Sequence, residues 1–508
     1  MMVLRFAPSP TGPLHIGGVR TALYNYLLAR KHGGRFILRI EDTDQTRFVP
    51  GAEEYIIEAL SWCGIIFDEG PHIGGPHAPY RQSERKAIYA EYAHRLVERG
   101  WAYYAFDTEE ELEEMRKRFE AAGMVAPQYN AITRPYMKNS LTLPPDEVQE
   151  RLRTQPYVIR FLVPRGREVR FYDEIRGWVS VHTKEMDDKV LLKSDGMPTY
   201  HLANVVDDHL MGVTHVIRGE EWLPSTPLHV LLYEAFGWDM PKFAHLPLLL
   251  RPDGGGKLSK RDGDQLGFPV FPIRWKDPHS GEVSEGYRER GFLPMGVVNY
   301  LALLGWHPAE EKEIFTMEEL IEAFSLERVS KSGARFDFEK ARWINQQHLR
   351  ALPIDKLISL IRPLWEARQL PPVSDTQLAA LIEIARERAS LLPEIIEAVR
   401  FFYAPPELPL SPDREGKLNL VLIESLGGWI QGLEALPTWE ASVIEGFIKG
   451  QAKAISLPLG KVLPTLRLAL TGEEMGPSLY AIMAVLGKAE TLRRLERFVA
   501  VYAVQRRV

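Results

Sequence analysis

The sequence predicts an α/β fold, with a Rossmann-like parallel sheet early in the chain and an all-helical region at its end. Over residues 1–100, short apolar runs alternate with helical patterns, which is typical of strand–helix–strand units. About a hundred residues of different character follow, and the α/β pattern resumes near residue 200. Beyond about residue 330 nearly every segment has helical periodicity, interrupted by proline turns.

Prolines and glycines divide the first part of the chain into elements. A strand is predicted at 3–7, and the proline-rich loop 8–13 ends it. A helix is predicted from Gly17 to about His32, where two glycines suit a left-handed C-terminus. Further elements are predicted as a strand at 36–40 and helices at 52–62 and 84–98.

The middle of the chain is predicted to contain an inserted module. The alternation of short apolar runs with helical patterns stops near Trp101, and a proline-interrupted region extends to about Pro164. The predicted elements are a strand at 103–106, a charged helix at 109–122, and strands at 168–172 and 178–183. The α/β pattern then resumes with two buried strands, predicted at 200–206 and 214–218.

The composition is that of a globular protein with several domains. A length of 508 residues corresponds to about three to four domains, and 45% hydrophobic and 26% charged residues are ordinary values. The net charge of −6 argues, at first sight, against a general nucleic-acid binder. Because no charged leader precedes an apolar run and no stretch reaches the roughly 18 apolar residues of a membrane span, we expect a cytoplasmic protein without a membrane partner.

No protein-bound metal is predicted. Cys63 is the single cysteine, which excludes a disulfide framework and an all-cysteine zinc cluster, and it is expected to be a small core residue. Asp207, Asp208 and His209 resemble a ligand set at first sight. On a predicted strand, however, adjacent side chains point to opposite faces and cannot all coordinate one ion.

The first motif with chemical meaning is Pro8–Gly18, where a strand leads through a loop into a helix that begins with glycines. Backbone can approach a ligand closely there, and the N–H groups of a helix N-terminus attract phosphate. His15, just before Gly17 and Gly18, could donate a hydrogen bond to a phosphate oxygen. The alternative is a tight turn with a surface histidine.

The second motif is Lys257–Arg261, which follows a glycine-rich loop. Two lysines and an arginine on such a loop form a mobile cationic clamp for charge that develops on leaving pyrophosphate. The alternative is a solvated basic loop, which is the commoner fate of such a run. The two motifs together are more specific than either one.

The remaining candidates are charged residues near predicted strand ends. Glu41, after the second strand, is placed to accept from a substrate amine, because ligands of open parallel sheets lie beyond the carboxyl ends of the strands. Asp42 or Asp44 could instead cap the next turn. Arg5 and Arg218 could bracket an anionic substrate, since the guanidinium fork matches a carboxylate.

These motifs resemble those of the bacterial glutamyl-tRNA synthetase family, which are class I aminoacyl-tRNA synthetases. The similar segments occur in order along essentially the whole chain: Pro8–Gly12, His15–Gly18, Arg39–Asp44, Thr199–Asp208, Arg218–Trp222, Lys257–Arg261 and Pro464–Gly472. The resemblance implies ATP-dependent ligation of L-glutamate to tRNA(Glu) through a glutamyl adenylate, with release of AMP and pyrophosphate. It further implies activation that requires tRNA, Mg²⁺ accompanying ATP, and a monomeric enzyme.

The resemblance also assigns residues to roles. Catalysis is assigned to His15, Gly17, Lys257 and Lys260, and ATP binding to Pro10, His15, Gly17, Gly18, Glu221, Leu249 and Lys260. Glutamate binding is assigned to Arg5, Ala7, Ser9, Glu41, Tyr200, Asn204, Arg218 and Trp222. Anticodon contacts are assigned to Arg388, Arg467 and Leu479, of which Arg388 rests on spacing, with an exposed helix charge as the alternative.

The implied domain organisation combines a class I catalytic domain with tRNA-binding parts. The halves of the catalytic domain are 1–100 and 199–258, separated by an inserted α+β acceptor-stem-binding domain at 101–198. A stem-contact region with the lysine loop is expected at 259–337. Two helical subdomains at 338–400 and 401–508 are expected to form the anticodon-binding cage.

The chain departs from the family pattern in two places. Some relatives bind a structural zinc in the inserted domain through clustered cysteines, but residues 103–107 contain no thiol, so no structural zinc is predicted. The segment 268–291 is longer than the usual link after the lysine motif, which leaves its role open.

Several other functions are possible. A smaller nucleotidyltransferase would not need the helical region, nor would a short relative that glutamylates a modified tRNA base. A catalytically inactive tRNA-binding paralogue would be expected to lose His15, Glu41 or Lys260, and all three are present. A glutaminyl-tRNA synthetase usually has a β-barrel C-terminal body. Whether tRNA(Gln) is also charged stays open.

The net charge does not exclude tRNA, because phosphate is contacted locally. From Lys488 onward the local charge is +4. The basic residues of this segment are Lys488, Arg493, Arg494, Arg497, Arg506 and Arg507, and the acidic ones are Glu490 and Glu496.

Overall fold

A computed structural model describes residues 1–504, so Arg506 and Arg507 of the basic C-terminal segment lie outside the described residues. The chain divides into two compact units. The first comprises Met1–Glu289 and Val297–Phe338, and the second comprises Arg290–Gly296 and the residues from Glu339 onward.

The first unit contains the strands and the helices that pack on them. Its strands are β1 (Val3–Phe6), β2 (Arg35–Leu38), β3 (Ala102–Ala105), β4 (Val158–Phe161), β5 (Glu168–Asp173), β6 (Gly177–His182), β7 (Val190–Leu192), β8 (His215–Gly219), β9 (Lys242–Leu246), β10 (Leu249–Leu250), β11 (Trp275–Lys276), β12 (Val283–Ser284) and β13 (Ala334–Arg335). The helices up to the end of this unit are α1 (Ile16–Lys31), α2 (Ala52–Trp62), α3 (Lys86–Glu98), α4 (Glu109–Ala121), α5 (Pro145–Thr154), α6 (Tyr200–Leu210), α7 (Thr226–Phe236), α8 (Lys260–Leu266), α9 (Pro294–Leu303) and α10 (Met317–Ala323).

The predicted parallel sheet is confirmed. β1 pairs in parallel with β2, from Val3 opposite Arg35 to Phe6 opposite Leu38, and β8, β9 and β5 are parallel neighbours with β6 as an antiparallel edge. The amide of Thr214 donates to the carbonyl of Val3 at 2.9 Å, which brings β8 beside β1. The carboxyl ends of these strands therefore meet at one edge, where the predicted ligand residues begin.

The inserted segment forms a separate antiparallel sheet in the order β3-β4-β7. Its small core contains Tyr103, Met115 and Tyr129, and a capping box between Thr108 and Glu111 begins α4. The hairpin β5–β6 lies within 101–198 but pairs with β9 of the catalytic sheet. The domain boundaries of the sequence analysis stay predictions.

The strand predicted at 200–206 is wrong, because this segment is the first part of helix α6. Short apolar runs fit a buried strand and a buried helix equally well, and here Leu202, Ala203, Val205 and Val206 are all buried on a helix that is enclosed by the sheet and its neighbours. The strand-based argument against a metal site at Asp207–His209 therefore does not apply.

The long segment after the lysine motif is ordered and packs against the catalytic core. Phe268, Val270 and Ile273 are buried, and β11 and β12 form a hairpin beyond them. The carbonyl of Val270 accepts from the amide of Ile16 at 2.9 Å. The segment thereby supports the first turn of α1, next to the glycine motif at Gly17 and Gly18.

The second unit is helical, as predicted. Its helices are α11 (Phe338–Ala351), which begins at the last residue of the first unit, α12 (Ile354–Ala367), α13 (Asp375–Ala385), α14 (Leu392–Ala398), α15 (Arg400–Tyr403), α16 (Pro412–Glu415), α17 (Leu420–Glu434), α18 (Ala441–Ala454), α19 (Leu459–Thr471), α20 (Leu479–Leu486) and α21 (Lys488–Val504). Arg494 is buried on α21 and donates to the carbonyl of Leu470 at 2.6 Å, so this member of the basic segment holds the fold together. Within residues 1–504, none of the helices is both long and apolar enough to cross a bilayer.

Cys63 gives a direct test of the packing around α2. It is 2% exposed at the end of this helix, and burial raises the pKa of its thiol to about 12. Only the thiolate attacks an aromatic disulfide reagent, so we expect the native protein to be inert to it at neutral pH. Once the protein is unfolded in guanidinium, Cys63 should react and release one equivalent of the reagent's coloured thiol. Rapid modification of the native protein, measured by absorbance, would contradict this packing.

Candidate active site

A large cavity opens at the carboxyl ends of β1 and β8. Its volume is about 840 Å³, and its position is the one at which open parallel sheets bind ligands. Most residues assigned to glutamate, ATP or catalysis contribute to its wall: Arg5, Ala7, Ser9, His15, Gly17, Gly18, Glu41, Tyr200, Asn204, Arg218, Glu221, Trp222, Leu249, Lys257 and Lys260.

Pro10 is an exception to this grouping. It is buried outside the cavity wall, and its carbonyl accepts from the amide of Val49 at 3.0 Å. Contact between Pro10 and ATP stays a prediction from the motif resemblance. The rigid ring of Pro10 helps to shape the loop that carries Ser9.

His15 caps helix α1 and keeps one ring nitrogen available. Its Nδ1 accepts from the amide of Gly17 at 3.1 Å, so the neutral ring carries its proton on Nε2. That nitrogen is buried and has no hydrogen-bond partner among the described residues. Burial and the nearby Lys257 lower the pKa of His15 to about 4. The site therefore presents a buried, neutral N–H donor that is available to an acceptor on a ligand.

The lysine motif lies at the rim of the cavity on a short, capped helix. Ser259 and Asp262 form a capping box that starts α8 at Lys260. The Nζ of Lys257 lies 3.5 Å from Glu221, and the Nζ of Lys260 lies 3.1 Å from Glu282. All four of these charged groups are more than a third exposed, so the ion pairs are weak and the lysines can exchange partners easily.

The opposite wall is held by a buried network of charges. Asp208 receives a two-pronged contact from Arg5, at 2.9 and 3.2 Å, and a third hydrogen bond from Arg39 at 2.7 Å. Arg39 also donates to Glu41 at 3.1 Å, and the amide of Asn204 donates to the same oxygen at 3.3 Å. Burial opposes the ionisation of Asp208, but the two arginines outweigh it and lower its pKa.

Glu41 is the acidic member of this network that borders the cavity. Burial raises its pKa, and Arg39 and Arg5 offset this effect only in part. Both hydrogen bonds that fix it go to one oxygen, Oε1. A carboxylate held in this way can accept from a substrate ammonium group through its remaining lone pairs.

Arg218 differs from Arg5 in its partners. It is 5% exposed on β8 and donates to neutral groups, among them the hydroxyl of Tyr200 at 2.9 Å. Within residues 1–504 it forms no ion pair with a carboxylate at hydrogen-bond distance. The indole ring of Trp222 lies against Tyr200 with 4.2 Å between ring centroids, which closes this side of the cavity.

Several residues that shape the site were missed by the sequence analysis. Arg39 and Asp208 stand inside the quoted motifs, yet no role was assigned to them. His229 and His245 occur in apolar segments, which predicts that they are buried. A buried imidazole needs a polar partner, and this requirement is the signal that the sequence offers. Asp173 carried no recognisable signal, because its partner lies 72 residues away.

Two family models match the chain. Residues 1–343 match the catalytic domain of class I tRNA synthetases for E and Q, and residues 356–499 match an anticodon binding domain. The glutamate–tRNA ligase of Amoebophilus asiaticus is 54% identical over 495 residues, which cover 97% of this chain and 96% of that protein. This chain belongs to the glutamate–tRNA ligase family.

Other members of the family agree over the same length. The glutamate–tRNA ligase of Porphyromonas gingivalis W83 is 53% identical over 506 residues, covering 98% of both chains. A crystal structure of a glutamate tRNA ligase from Elizabethkingia meningosepticum, in complex with its amino acid, has a TM-score of 0.94 at 49% identity and covers 98% of this chain and 99% of that one. The resemblance and the fold class inferred from the motifs are confirmed, and the matches support none of the alternatives.

The helical unit contains the three residues assigned to the anticodon. Arg388 is exposed after α13, and Arg467 is half-buried on α19, where it donates to the carbonyl of Pro477 at 2.8 Å. Burial and then the positive charge of Arg388 lower the pKa of Arg467. Leu479 is buried in the helical core, so only its backbone could reach an RNA base.

Asp207 and Asp208 are tied to arginines and do not form a ligand cluster. Asp207 accepts from Arg85 at 2.8 Å and from the hydroxyl of Tyr89 at 2.6 Å. Among the described residues there is no group of three His, Cys, Asp or Glu side chains arranged to hold a metal ion. That the inserted domain lacks a structural zinc stays a prediction from the sequence.

The charge network gives a prediction for Asp208. The change Asp208→Asn leaves two buried guanidinium groups without their shared carboxylate, so we expect the free energy of unfolding to fall by about 3 kcal/mol or more. Urea unfolding followed by tryptophan fluorescence measures this. The matched control is Glu113→Gln, which breaks an exposed pair with Arg116 and is expected to change nothing measurable. Equal midpoints for the two variants would show that the network does not support the fold.

Proposed function

We propose that this chain ligates L-glutamate to tRNA(Glu) in two steps, with glutamyl adenylate as the intermediate and with AMP and pyrophosphate as products. One observation carries the proposal: a single cavity combines the N-terminus of α1, neutral His15 and the exposed Lys257 and Lys260 on one side with buried arginines and Glu41 on the other. These groups match an amino acid with two carboxylates and one ammonium group that must react with a nucleoside triphosphate. Membership of the glutamate–tRNA ligase family supports the same activity.

The amino acid fits the charge-network side of the cavity. We assign the side-chain carboxylate to Arg5, Tyr200 and Asn204, and the ammonium group to Glu41 and Ser9. Arg5 uses its Nε and one terminal nitrogen on Asp208, so its other terminal nitrogen is left for the substrate. Glutamine could not replace glutamate equally well, because its amide N–H₂ would meet the donor groups of Arg5.

The α-carboxylate is assigned to Arg218, and the wall around it is completed by Trp222 and Ala7. An arginine that lacks a carboxylate partner in the described chain gains most from an anionic ligand. Because an oxygen of this carboxylate is the attacking atom, its orientation decides the rate of the first step.

ATP fits the opposite side. The phosphates are assigned to Nε2 of His15 and to the close backbone approach that Gly17 and Gly18 allow at the start of α1, and the nucleoside to Glu221 and Leu249. The unpartnered, buried Nε2 of His15 is the observation that favours this fit. Mg²⁺ would enter with ATP and be held largely by phosphate oxygens, whose negative charge it would neutralise.

The reaction requires positioning and charge stabilisation from the protein. A carboxylate oxygen of glutamate attacks the α-phosphorus, and the bond between that phosphorus and the bridging oxygen of pyrophosphate breaks. Lys257 and Lys260 are assigned to the charge that develops on the leaving pyrophosphate. In the second step a ribose hydroxyl of the terminal adenosine of tRNA attacks the glutamyl carbonyl carbon, and AMP leaves.

The tRNA-binding assignments extend this proposal. The β3-β4-β7 module is proposed to hold the acceptor end, and Arg388 and Arg467 in the helical unit are proposed to contact the anticodon. The enzyme is proposed to be a monomer, as the motif resemblance implies. Since charged tRNA is consumed in translation, we propose that it acts in the cytoplasm.

The choice of tRNA is tested by aminoacylation with purified tRNA(Glu) and tRNA(Gln) in parallel. We expect glutamate to be incorporated into tRNA(Glu) in an ATP-dependent way, and incorporation into tRNA(Gln) measures whether the enzyme discriminates between the two. Comparable incorporation into both would identify a non-discriminating enzyme. No incorporation into either would refute the proposed function.

The clamp role is tested with Lys260→Ala. We expect tRNA-stimulated, glutamate-dependent exchange of pyrophosphate into ATP to fall by about a hundredfold or more, with tRNA binding unchanged, because one cation on the leaving group is lost. The matched control is Lys276→Ala, an exposed lysine of the neighbouring hairpin that does not contribute to the cavity wall. Exchange at the rate of the control variant would show that Lys260 does not act on pyrophosphate.

A further inference from the structure

Arg218 is surrounded by polar residues of which only Tyr200 has a role in the proposed function. The guanidinium is fixed by neutral acceptors from three elements. They are the hydroxyls of Tyr200 and Thr226, each at 2.9 Å, Nε2 of His245 at 3.0 Å and Nδ1 of His229 at 3.3 Å. Holding a buried cation with neutral groups alone is costly, so this arrangement calls for an explanation.

The hydrogen bonds of His245 define its tautomer. The Nε of Arg218 always carries a proton, so Nε2 of His245 must accept from it. The proton of the imidazole is therefore on Nδ1, which donates to the carboxylate of Asp173 at 2.6 Å. A second proton on Nε2 would face the N–H of Arg218, and burial lowers the pKa of His245 against the raising effect of Asp173. The three residues form a directed chain from the guanidinium to a carboxylate.

Asp173 is held firmly at the far end of this chain. It is fully buried at the end of β5 and also accepts from the amides of Ile175 at 3.0 Å, Arg176 at 2.9 Å and His245 at 3.1 Å. Burial opposes its ionisation, but the hydrogen bond from His245 and these amides outweigh it, so its pKa is lowered. The pairing of Asp173 with Phe243 sets the register of β5 against β9. The position of the imidazole is thereby set by the catalytic sheet itself.

His229 repeats the pattern on the other side. Since Arg218 donates to its Nδ1, the proton of His229 is on Nε2, which donates to Nδ1 of His201 at 3.2 Å. Burial and the charge of Arg218 lower the pKa of His229 well below its ordinary value. Two neutral imidazoles thus hold one guanidinium without cancelling its charge.

A comparison with Arg5 shows what the neutral imidazole partners of Arg218 achieve. Arg5 is paired directly with Asp208, which it shares with Arg39, so its charge is offset in part and two of its nitrogens are occupied. If a carboxylate stood in place of His245, the charge of Arg218 would be offset before any substrate arrived. The imidazole fixes the orientation of the guanidinium through Nε and leaves its net charge for an incoming carboxylate, while the negative charge of Asp173 stays one ring further away.

We propose that His245, oriented by Asp173, is a positioning residue that aims Arg218 at the α-carboxylate of glutamate. The proposal rests on the function proposed for Arg218. Its alternative is a purely structural role, in which the Asp173–His245 contact only ties the β5–β6 hairpin to β9.

Two isosteric variants distinguish the roles. In His245→Gln the side-chain amide can occupy the position of Nε2 and accept from Arg218, whereas in His245→Asn it occupies the position of Nδ1 and reaches only Asp173. We expect kcat/KM for glutamate to fall about tenfold or more in His245→Asn and to stay within about threefold of wild type in His245→Gln. KM for ATP and for tRNA should change by less than about twofold in both. His209→Asn, at an exposed position, is the matched control.

The outcomes separate failure of this proposal from failure of the function on which it rests. If Arg218→Lys impairs glutamate use while His245→Asn does not, or if His245→Gln is the more damaging variant, the positioning role is wrong. If Arg218→Lys leaves kcat/KM for glutamate unchanged, the assignment of Arg218 itself is wrong. Nitrogen NMR of histidine-labelled wild-type protein gives a test that needs no variant to be active, because a proton on Nε2 of His245 would overturn the proposal.

Discussion

Arg39 sets the constraint on which the catalytic unit depends. Its guanidinium is completely buried and cannot lose its proton at any accessible pH, so carboxylates must surround it. Asp208 from α6 and Glu41 after β2 meet this requirement, which fixes the distance between that helix and the sheet. Arg5 is held by the same Asp208. Of the residues proposed to bind glutamate, Arg5 and Glu41 therefore owe their positions to one buried cation.

The two sides of the cavity differ in rigidity, and this difference suits the chemistry proposed for each. On the amino-acid side, Arg5, Glu41 and Arg218 are buried and each makes at least one hydrogen bond to another buried group. On the phosphate side, Lys257 and Lys260 rest on exposed carboxylates that bind them weakly. Selection among similar amino acids requires fixed donors, whereas a departing pyrophosphate requires cations that can follow it.

Much of the fold could be predicted because its elements have local signals. The strand at Val3–Phe6 ends at a proline-rich loop, and the helix Ala52–Trp62 has a clear apolar stripe. The apolar run at the start of helix Tyr200–Leu210 predicts a strand, and this is wrong. Because the helix is enclosed on several sides, it is apolar all round, and so short a run does not distinguish helical from strand periodicity. For the site, the loop and helix start around His15 could be predicted from the glycines there, but the contacts of Asp208 with Arg5 and Arg39 could not.

The sequence by itself determined the family, the order of the parts and the identity of the residues around the cavity, because these are carried by short motifs that can be read locally. Only the tertiary structure decided which side chains are already engaged and which are left for substrates. Arg5 and Asp208 are separated by 203 residues, and Asp173 and His245 by 72. Contacts over such distances depend on how strands and helices meet. That Arg218 is a buried cation held by neutral rings could therefore be identified only from the tertiary structure.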